Sequence, residues 1–356
     1  MTSAPQAAPQ AAQTATQAAQ TATQAAQVSP ASQASPAAQA APQASAQAAP
    51  QPMLAPRLTS AQALQIANRA GLREMGVRPP LWQYLKDTWA SHAFIWNLSA
   101  SRAYTRNQGS YLGQIWNILS PTLEALVFII VFGFLFGARR DVENIASFII
   151  IGTLSYSFFA RTVTAGSAAI QTNLDLIRSH QFPRSIVPAA TALTEIVLFA
   201  PAVVTMVVIS FLSSYIPGEG FGPVYPRLSW LLIPFAVLLL ALFSTGVAFF
   251  IARLGARTPD ITNVLPFFLS LGRFGSGVMF PLATMISPAQ QHTWWGRLIQ
   301  HQPIAVYLDL IRACFGNEPT AQLTGELWVR AILWALAAFG LGLLFFWRSE
   351  EVYGRD

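Results

Sequence analysis

Six long apolar segments constrain this 356-residue chain more than any other feature of its sequence. A helix needs about 20 residues to cross the hydrocarbon core of a bilayer, and each segment reaches that length. Backbone polar groups in lipid must find partners within the chain, which favours helices. We therefore predict an all-α membrane protein with six transmembrane helices. The segments lie at roughly 115–137, 145–170, 186–215, 228–252, 261–286 and 326–347.

Composition excludes several function classes. Only 10% of the residues are charged, well below the share found in soluble domains. Lys86 is the only lysine and is followed by Asp87, so the phosphate-binding motif GxxxxGK[ST] does not occur. The single cysteine, Cys314, excludes an intrachain disulfide and a CxxC zinc site. Since no catalytic cluster stands out, we expect the chain to be no enzyme and to bind no cofactor or metal itself.

The chain is predicted to have four parts. Its first charged residue is Arg57, and residues 1–56 are almost entirely Ala, Gln, Pro, Ser and Thr. Such a composition cannot bury enough apolar surface to become ordered. We predict a disordered tail at 1–56, which is neither a signal peptide nor an anchor. A cytoplasmic segment at 57–110, a transmembrane domain at 111–348 and a cytoplasmic tail at 349–356 follow.

The positive residues predict the orientation. With the amino terminus inside, 13 of the 21 Arg and Lys residues fall in cytoplasmic segments, 5 in outer segments and 3 within spans. Both termini are therefore predicted to be cytoplasmic, in a multi-pass protein of the plasma membrane. This topology accounts for the net charge of +6, so no nucleic-acid partner is needed to explain it.

Amphipathic helices are predicted at both membrane surfaces. Trp82, Leu85, Trp89 and Trp96 follow the spacing of one helical face directly before the first span. This pattern indicates a helix lying on the inner surface, and the alternative is a packed soluble helix. After the fifth span, the sequence PIAVYLDLIRACF belongs to a segment that predicts short helices at the outer surface.

The loop between the second and third spans, QTNLDLIRSHQFPRSIVP, is polar and predicted to face the cytosol. A short helix from about Thr172 that ends before Pro183 would form a compact surface knob. An ordinary solvated turn is the alternative interpretation.

Four ionisable residues fall well inside the predicted spans, where charge is costly and usually faces a polar interior. Arg273 lies near the middle of the fifth span among several glycines and could pair with Glu124 or Glu195. A guanidinium matches phosphate bidentately, so Arg273 is a candidate substrate contact; a structural ion pair is the alternative. The four residues are Glu124, Arg161, Glu195 and Arg273.

Two motifs resemble those of a known family. RNQGSYLGQIWNILSP (106–121) begins the first span, and NLDLIRSHQFPRSIVP (173–188) follows the second. Together with the spacing of the spans, they resemble the ABC-2 type permeases that export polysaccharides and teichoic acids. The resemblance covers roughly residues 80–356.

The resemblance implies a homodimer of permeases bound to two copies of a separate ATPase, which would hold ATP and magnesium. The substrate would be a polyprenyl-phosphate-linked polysaccharide, such as a cell-wall galactan, a teichoic acid or an O-antigen-like polymer, moved from the cytoplasmic to the outer side. The loop after the second span would dock into the ATPase, supported by the Trp82–Trp96 surface helix. The implied coupling residues are Leu176, Ile177, Arg178, Phe182, Pro183 and Arg184.

A path for the glycan would run along the first and fifth spans. Aromatic rings can stack on sugar faces, so Phe128, Phe132 and Phe274, together with Arg273, are candidate path residues. Packing against lipid or helices is the alternative for the rings. The sequence LSLGRFGSGVMFP in the fifth span departs from the apolar and serine-proline pattern usual in the family.

Three other functions are compatible with this sequence. A permease for drug or other lipid efflux is the closest alternative. A membrane-embedded glycosyl- or acyltransferase would need catalytic carboxylates or histidines clustered at one membrane face. An ATP-independent channel or scramblase would have neither a coupling knob nor an ATPase partner.

Overall fold

The computed structural model describes residues 79–131, 142–179, 182–218, 220–282, 293–316 and 321–350. These residues all belong to one compact unit, Arg73–Asp356. The predicted tail at 1–56 and the last six residues, 351–356, lie outside the described residues.

The described residues form a helical bundle, as the sequence predicts. Two helices start with a side-chain cap: the Asn144 side chain accepts from Ser147 N (2.9 Å) and the Thr324 side chain from Leu327 N (3.3 Å). The helices are α1 (Leu81–Ala90), α2 (His92–Thr105), α3 (Trp116–Phe128), α4 (Ile145–Ala168), α5 (Leu174–Ser179), α6 (Ile186–Ser213), α7 (Ile233–Arg257), α8 (Ile261–Gly275), α9 (Trp294–Gln300), α10 (Pro303–Phe315) and α11 (Gly325–Trp347).

Within the described residues, five helical segments are long and apolar enough to cross a membrane. They contain α3, α4, α6, α7 and α11 and coincide with five of the six predicted spans. The fifth predicted span differs, because α8 ends at Gly275 after 15 residues. Gly277 then adopts a left-handed backbone (φ 76°), a conformation that does not continue a helix. The end of that predicted span, 283–286, lies outside the described residues.

Helix α4 is the centre of the bundle. It is buried along nearly all of its length and packs against α3, α6, α7, α8 and α10. The α10 helix, predicted to lie at the outer surface, is instead mostly buried in the same core. The α10 helix contributes one charged side chain to this core, that of Arg312. Its guanidinium is stabilised there because it donates to the carbonyls of Gly277 (3.0 Å) and Phe148 (3.2 Å).

Helices α7 and α11 cross closely through glycines. A Cβ atom at Gly342 would lie 2.0 Å from the carbonyl oxygen of Gly246, and one at Gly246 would meet the backbone of Ala338 at 2.4 Å. Only glycine permits this approach, which is a common device in membrane helix packing.

The segments predicted to be cytoplasmic lie together at one end of the bundle. Tyr84 Oη of α1 donates to Glu350 Oε2 (2.8 Å), beyond α11. Gln171 Nε2, in the loop after α4, donates to Gly255 O near the end of α7 (2.5 Å). We call this the α1 end of the bundle.

The predicted outer segments lie together at the opposite end. Gly222 N donates to Glu143 O (2.8 Å), which joins the loops before α4 and after α6. Trp230 Nε1 donates to Phe315 O (3.2 Å), which joins the start of α7 to the end of α10.

Candidate functional site

A charged cavity of about 420 Å³ lies between α3, α4 and α8. The polar and charged residues concentrated between these helices mark the cavity as the candidate site. Residues 157, 161, 164 and 165 of α4 recur every three or four positions and form one helical face. The lining residues are Arg106, Ser120, Pro121, Glu124, Ser157, Ala160, Arg161, Thr164, Ala165, Pro266, Leu269, Ser270 and Arg273.

Two groups of ion pairs organise the cavity. Arg273 is paired with Glu124, which links α8 to α3. Glu195 of α6 is buried behind the cavity and pairs with Arg106 through Oε1. Its Oε2 atom lies 3.8 Å from Arg161 Nε, too far for a hydrogen bond. The sequence left two partners open for Arg273, and the structure selects Glu124.

Tyr156 fixes α8 against the central helix. Its hydroxyl donates to Leu269 O (2.5 Å), and a Cβ atom at Gly272 would lie 2.8 Å from the same hydroxyl oxygen. Glycine at this position therefore allows the contact. Because Leu269 and Arg273 both line the cavity, Tyr156 determines how far α8 stands from α4.

The predicted path residues separate into two groups. Arg273 lines the cavity, whereas Phe128 and Phe274 do not. Phe128 packs against the core, and the Phe274 side chain of α8 is exposed. Phe132 lies outside the described residues.

The predicted coupling residues lie on and after the short helix α5. Ile177 is buried in a small apolar cluster at the α1 end. Phe182 packs against that cluster and against the ring of Phe94, at 5.8 Å between centroids. Arg178 is exposed and Leu176 is half-buried. Ile177 and Phe182 therefore anchor the segment, and Arg178 projects from it.

A hydrogen-bonded junction holds the end of this segment. The Arg184 backbone N–H donates to Glu350 Oε1 (3.0 Å), and its guanidinium donates to the Glu350 carbonyl. Pro183 directly precedes this junction. Tyr84 Oη accepts from Ser185 N (2.9 Å) while donating to Glu350. Burial raises the pKa of both the Tyr84 hydroxyl and the Glu350 carboxyl.

The predicted surface helix is two helices, with a break at Ser91 between α1 and α2. Ser91 Oγ donates to Asp87 O (2.9 Å), the carbonyl that also accepts from Ser91 N (3.2 Å), and such a side-chain bond often bends a helix. Trp82 and Trp89 are about four-fifths exposed, at 80% and 79%, Trp96 is also exposed, and Leu85 is half-buried. The rings are therefore not part of this chain's core.

The cavity residues that sequence reasoning missed include Ser157 and Arg106. Ser157 lies one helical turn before Arg161 on the same face of α4, a spacing that could have suggested a shared site. Arg106 begins the motif quoted for the family resemblance, but its pairing with Glu195 depends on a contact between α2 and α6.

A bundle of five long apolar helices in the described part of the chain, with a charged cavity between three of its elements, has the architecture of a multi-pass membrane protein. The family described as ABC-2 type transporter matches residues 100–315, more than half of the chain. The chain belongs to this family. Its homologues are the membrane subunits of transporters and are not enzymes. The resemblance inferred from the two motifs is confirmed at the family level.

Several curated proteins are similar to this chain. An O-antigen export system permease protein, RfbA, of Myxococcus xanthus is 27% identical over 250 residues, covering 70% of this chain and 86% of that protein. The protein of the same name from Klebsiella pneumoniae is 26% identical over 213 residues, covering 60% and 76%. The polysialic acid transport protein KpsM of Escherichia coli is 23% identical over 188 residues, covering 53% and 70%.

Proposed function

We propose that this protein is the permease subunit of an ATP-driven exporter of polysaccharide. Two copies would assemble with two copies of a separate ATPase that holds ATP and magnesium. The cargo would be a polyprenyl-phosphate-linked polysaccharide, transferred from the cytoplasmic to the outer side of the plasma membrane. The observation that carries the proposal is the similarity to permeases named for O-antigen export and polysialic acid transport.

The α1 end of the bundle supports an ATPase contact there. Arg178 projects from a segment anchored by Ile177 and Phe182, and the Glu350 junction ties that segment to α1 and α11. An ATPase can shift a permease between two states only if it contacts them differently. A firmly held segment would transmit such a contact to α4 and α6, which it connects. This end would face the cytosol, with both termini on that side and Trp82 and Trp89 at the inner membrane surface.

The exposed helices support a homodimer. None of the residues in α8 is buried, and the segment containing α3 is the least buried of the five candidate spans. The Arg273–Glu124 pair joins these two helices, and the Glu124 side chain is 39% exposed. A charged pair facing lipid would be costly. A second copy packed against α3 and α8 would cover it.

Purification from native membranes tests the ATPase partnership. We expect a mild-detergent extract of the carboxyl-terminally tagged protein to contain an ATPase at one copy per permease. Arg178→Glu should release the ATPase, whereas Arg227→Glu, an equally exposed arginine at the opposite end, should retain it. If no ATPase co-purifies with the protein in several mild detergents, the proposal of an ATP-coupled exporter is wrong, and a channel or scramblase is favoured.

The cargo is tested by export itself. A deletion strain should accumulate lipid-linked polysaccharide on the cytoplasmic side, and the wild-type gene should clear it. Accumulation of a drug or another lipid instead would favour the efflux alternative. Arg273→Ala should reduce export if this arginine contacts the substrate; full export by a normally assembled variant would leave it with only a structural role.

A further inference from the structure

The charged cavity contains three buried donor groups without hydrogen-bond partners among the described residues. They are Ser157 Oγ, Arg161 Nε and Arg273 Nε, and all three side chains line the cavity. Buried polar groups in native structures nearly always have partners, so each exception needs an explanation. Three such donors around one cavity indicate a bound group that accepts hydrogen bonds.

The charges around the cavity select the kind of acceptor. Arg106, Arg161 and Arg273 carry three positive charges, which Glu124 and Glu195 neutralise only in part. The 3.8 Å gap between Arg161 Nε and Glu195 Oε2 leaves this nitrogen without a hydrogen-bond acceptor. An excess of guanidinium groups with unused N–H donors favours an oxyanion, and phosphate matches guanidinium geometry.

The size of the cavity limits what can enter it. A volume of about 420 Å³ falls in the range of small-molecule sites. It suits a phosphoryl group with one attached residue and not a folded length of polymer. A neutral sugar alone would leave the arginines with their excess charge.

We propose that this cavity binds a phosphoryl group through Arg161, Arg273 and Ser157, with Glu124 and Glu195 as the counter-ions of the empty site. The inference rests on the proposed function, since the phosphoryl group would be that of the lipid-linked substrate. Its oxygens take the donors that the empty site leaves without partners, and they compete with Glu124 for Arg273. Release of that pair loosens the link between α8 and α3 when substrate is present.

Ligand titration of the permease–ATPase complex in phosphatidylcholine nanodiscs tests the proposal. The probes are farnesyl diphosphate, inorganic diphosphate and phosphatidylglycerol added to the nanodisc. Arg161→Lys keeps the charge but removes Nε and the planar fork, so we expect binding to weaken about tenfold, as for loss of one charge-assisted hydrogen bond. Arg330→Lys, at an arginine paired with Glu326 away from the cavity, is the matched control and should bind normally.

Ser157→Ala separates binding from stability. The hydroxyl has no partner among the residues that the structure describes, so its removal should leave the melting temperature unchanged or higher. Affinity for the phosphoryl probe should nevertheless fall several-fold, because one donor to the ligand is lost. A merely structural role for Ser157 would not produce this combination.

The three probes identify the source of the phosphoryl group. If farnesyl diphosphate binds most tightly, the phosphoryl group belongs to an isoprenoid carrier. If inorganic diphosphate binds most tightly, the ligand is a soluble anion. If phosphatidylglycerol competes with the other probes, the ligand is the headgroup of a membrane lipid. The proposal is overturned if no probe binds, or if wild type and Arg161→Lys bind equally. A complex that still contains its ATPase and exports polysaccharide while failing this test would leave the proposed function intact.

Discussion

Glu195 is a buried carboxylate that faces two arginines, Arg106 and Arg161. Charge buried in this way is stable only while its partners remain. The cavity arginines therefore depend on a residue of α6 that does not itself line the cavity.

Glu195→Gln should destabilise the protein by about 3 kcal/mol, the lower part of the range for breaking a buried pair. The lower part applies because Arg106 is 36% exposed and can be partly hydrated. Thermal unfolding in detergent, followed by size-exclusion chromatography, measures the effect. Glu326→Gln breaks an exposed pair with Arg330 and should leave the melting temperature unchanged. Equal behaviour of the two variants would contradict the assigned role of Glu195.

The Glu350 junction should depend on pH. Because burial raises the pKa of this carboxyl above its ordinary value of 4.5, the folded protein holds a proton on it more readily than the unfolded chain does. Its contribution to stability is complete below pH 4.5 and is lost as the pH rises through the raised pKa. Hydrogen exchange at the end of α11 should therefore be faster at neutral pH than at pH 4.5, after correction for intrinsic rates.

Glu350→Gln should remove this dependence, because an amide does not titrate. Its oxygen can accept from the Arg184 N–H, and its NH2 group can donate to Tyr84 Oη. Glu326→Gln, at the other end of the same helix, should keep the wild-type response. A pH response that persists in Glu350→Gln would assign it to another group.

At the level of helix packing, the α7–α11 crossing should not tolerate added volume. Gly342→Ala would place a methyl group 2.0 Å from Gly246 O, so the helices must separate and the protein should lose stability and assemble poorly. Gly340→Ala, two residues earlier on an open face, meets nothing within 4 Å. Replacing this exposed helical glycine should stabilise by up to about 1 kcal/mol. Opposite signs for neighbouring glycines would confirm the crossing, and equal effects would refute it.

At the scale of the whole molecule, the homodimer should be detectable by cysteine crosslinking. The single native cysteine, Cys314, is buried, so the natural chain provides a low background. Leu271→Cys on the exposed face of α8 should give an oxidised dimer in native membranes. Leu238→Cys on α7 is similarly exposed and should remain monomeric. Crosslinking at Leu238 but not at Leu271 would move the contact away from α8.

The amino-acid sequence was sufficient to predict an all-α membrane protein and the positions of most of its helices. Apolar length and charge are local properties, so the five candidate spans and the segments grouped at each end could be predicted without a structure. The α8 helix was predicted too long, because a hydropathy pattern continues through Gly275 and Gly277 although the backbone conformation changes there.

Contacts between residues far apart in the chain could be identified from the folded structure but not from the sequence. Arg273 had two possible carboxylates in the sequence, and its pairing with Glu124 depends on how α8 packs beside α3. The buried position of α10 and the cavity donor Ser157 likewise arise from contacts between helices that are far apart in the chain. Local pattern fixes where a helix forms, but the free energy of burying a charge or a hydroxyl depends on the neighbours that packing supplies.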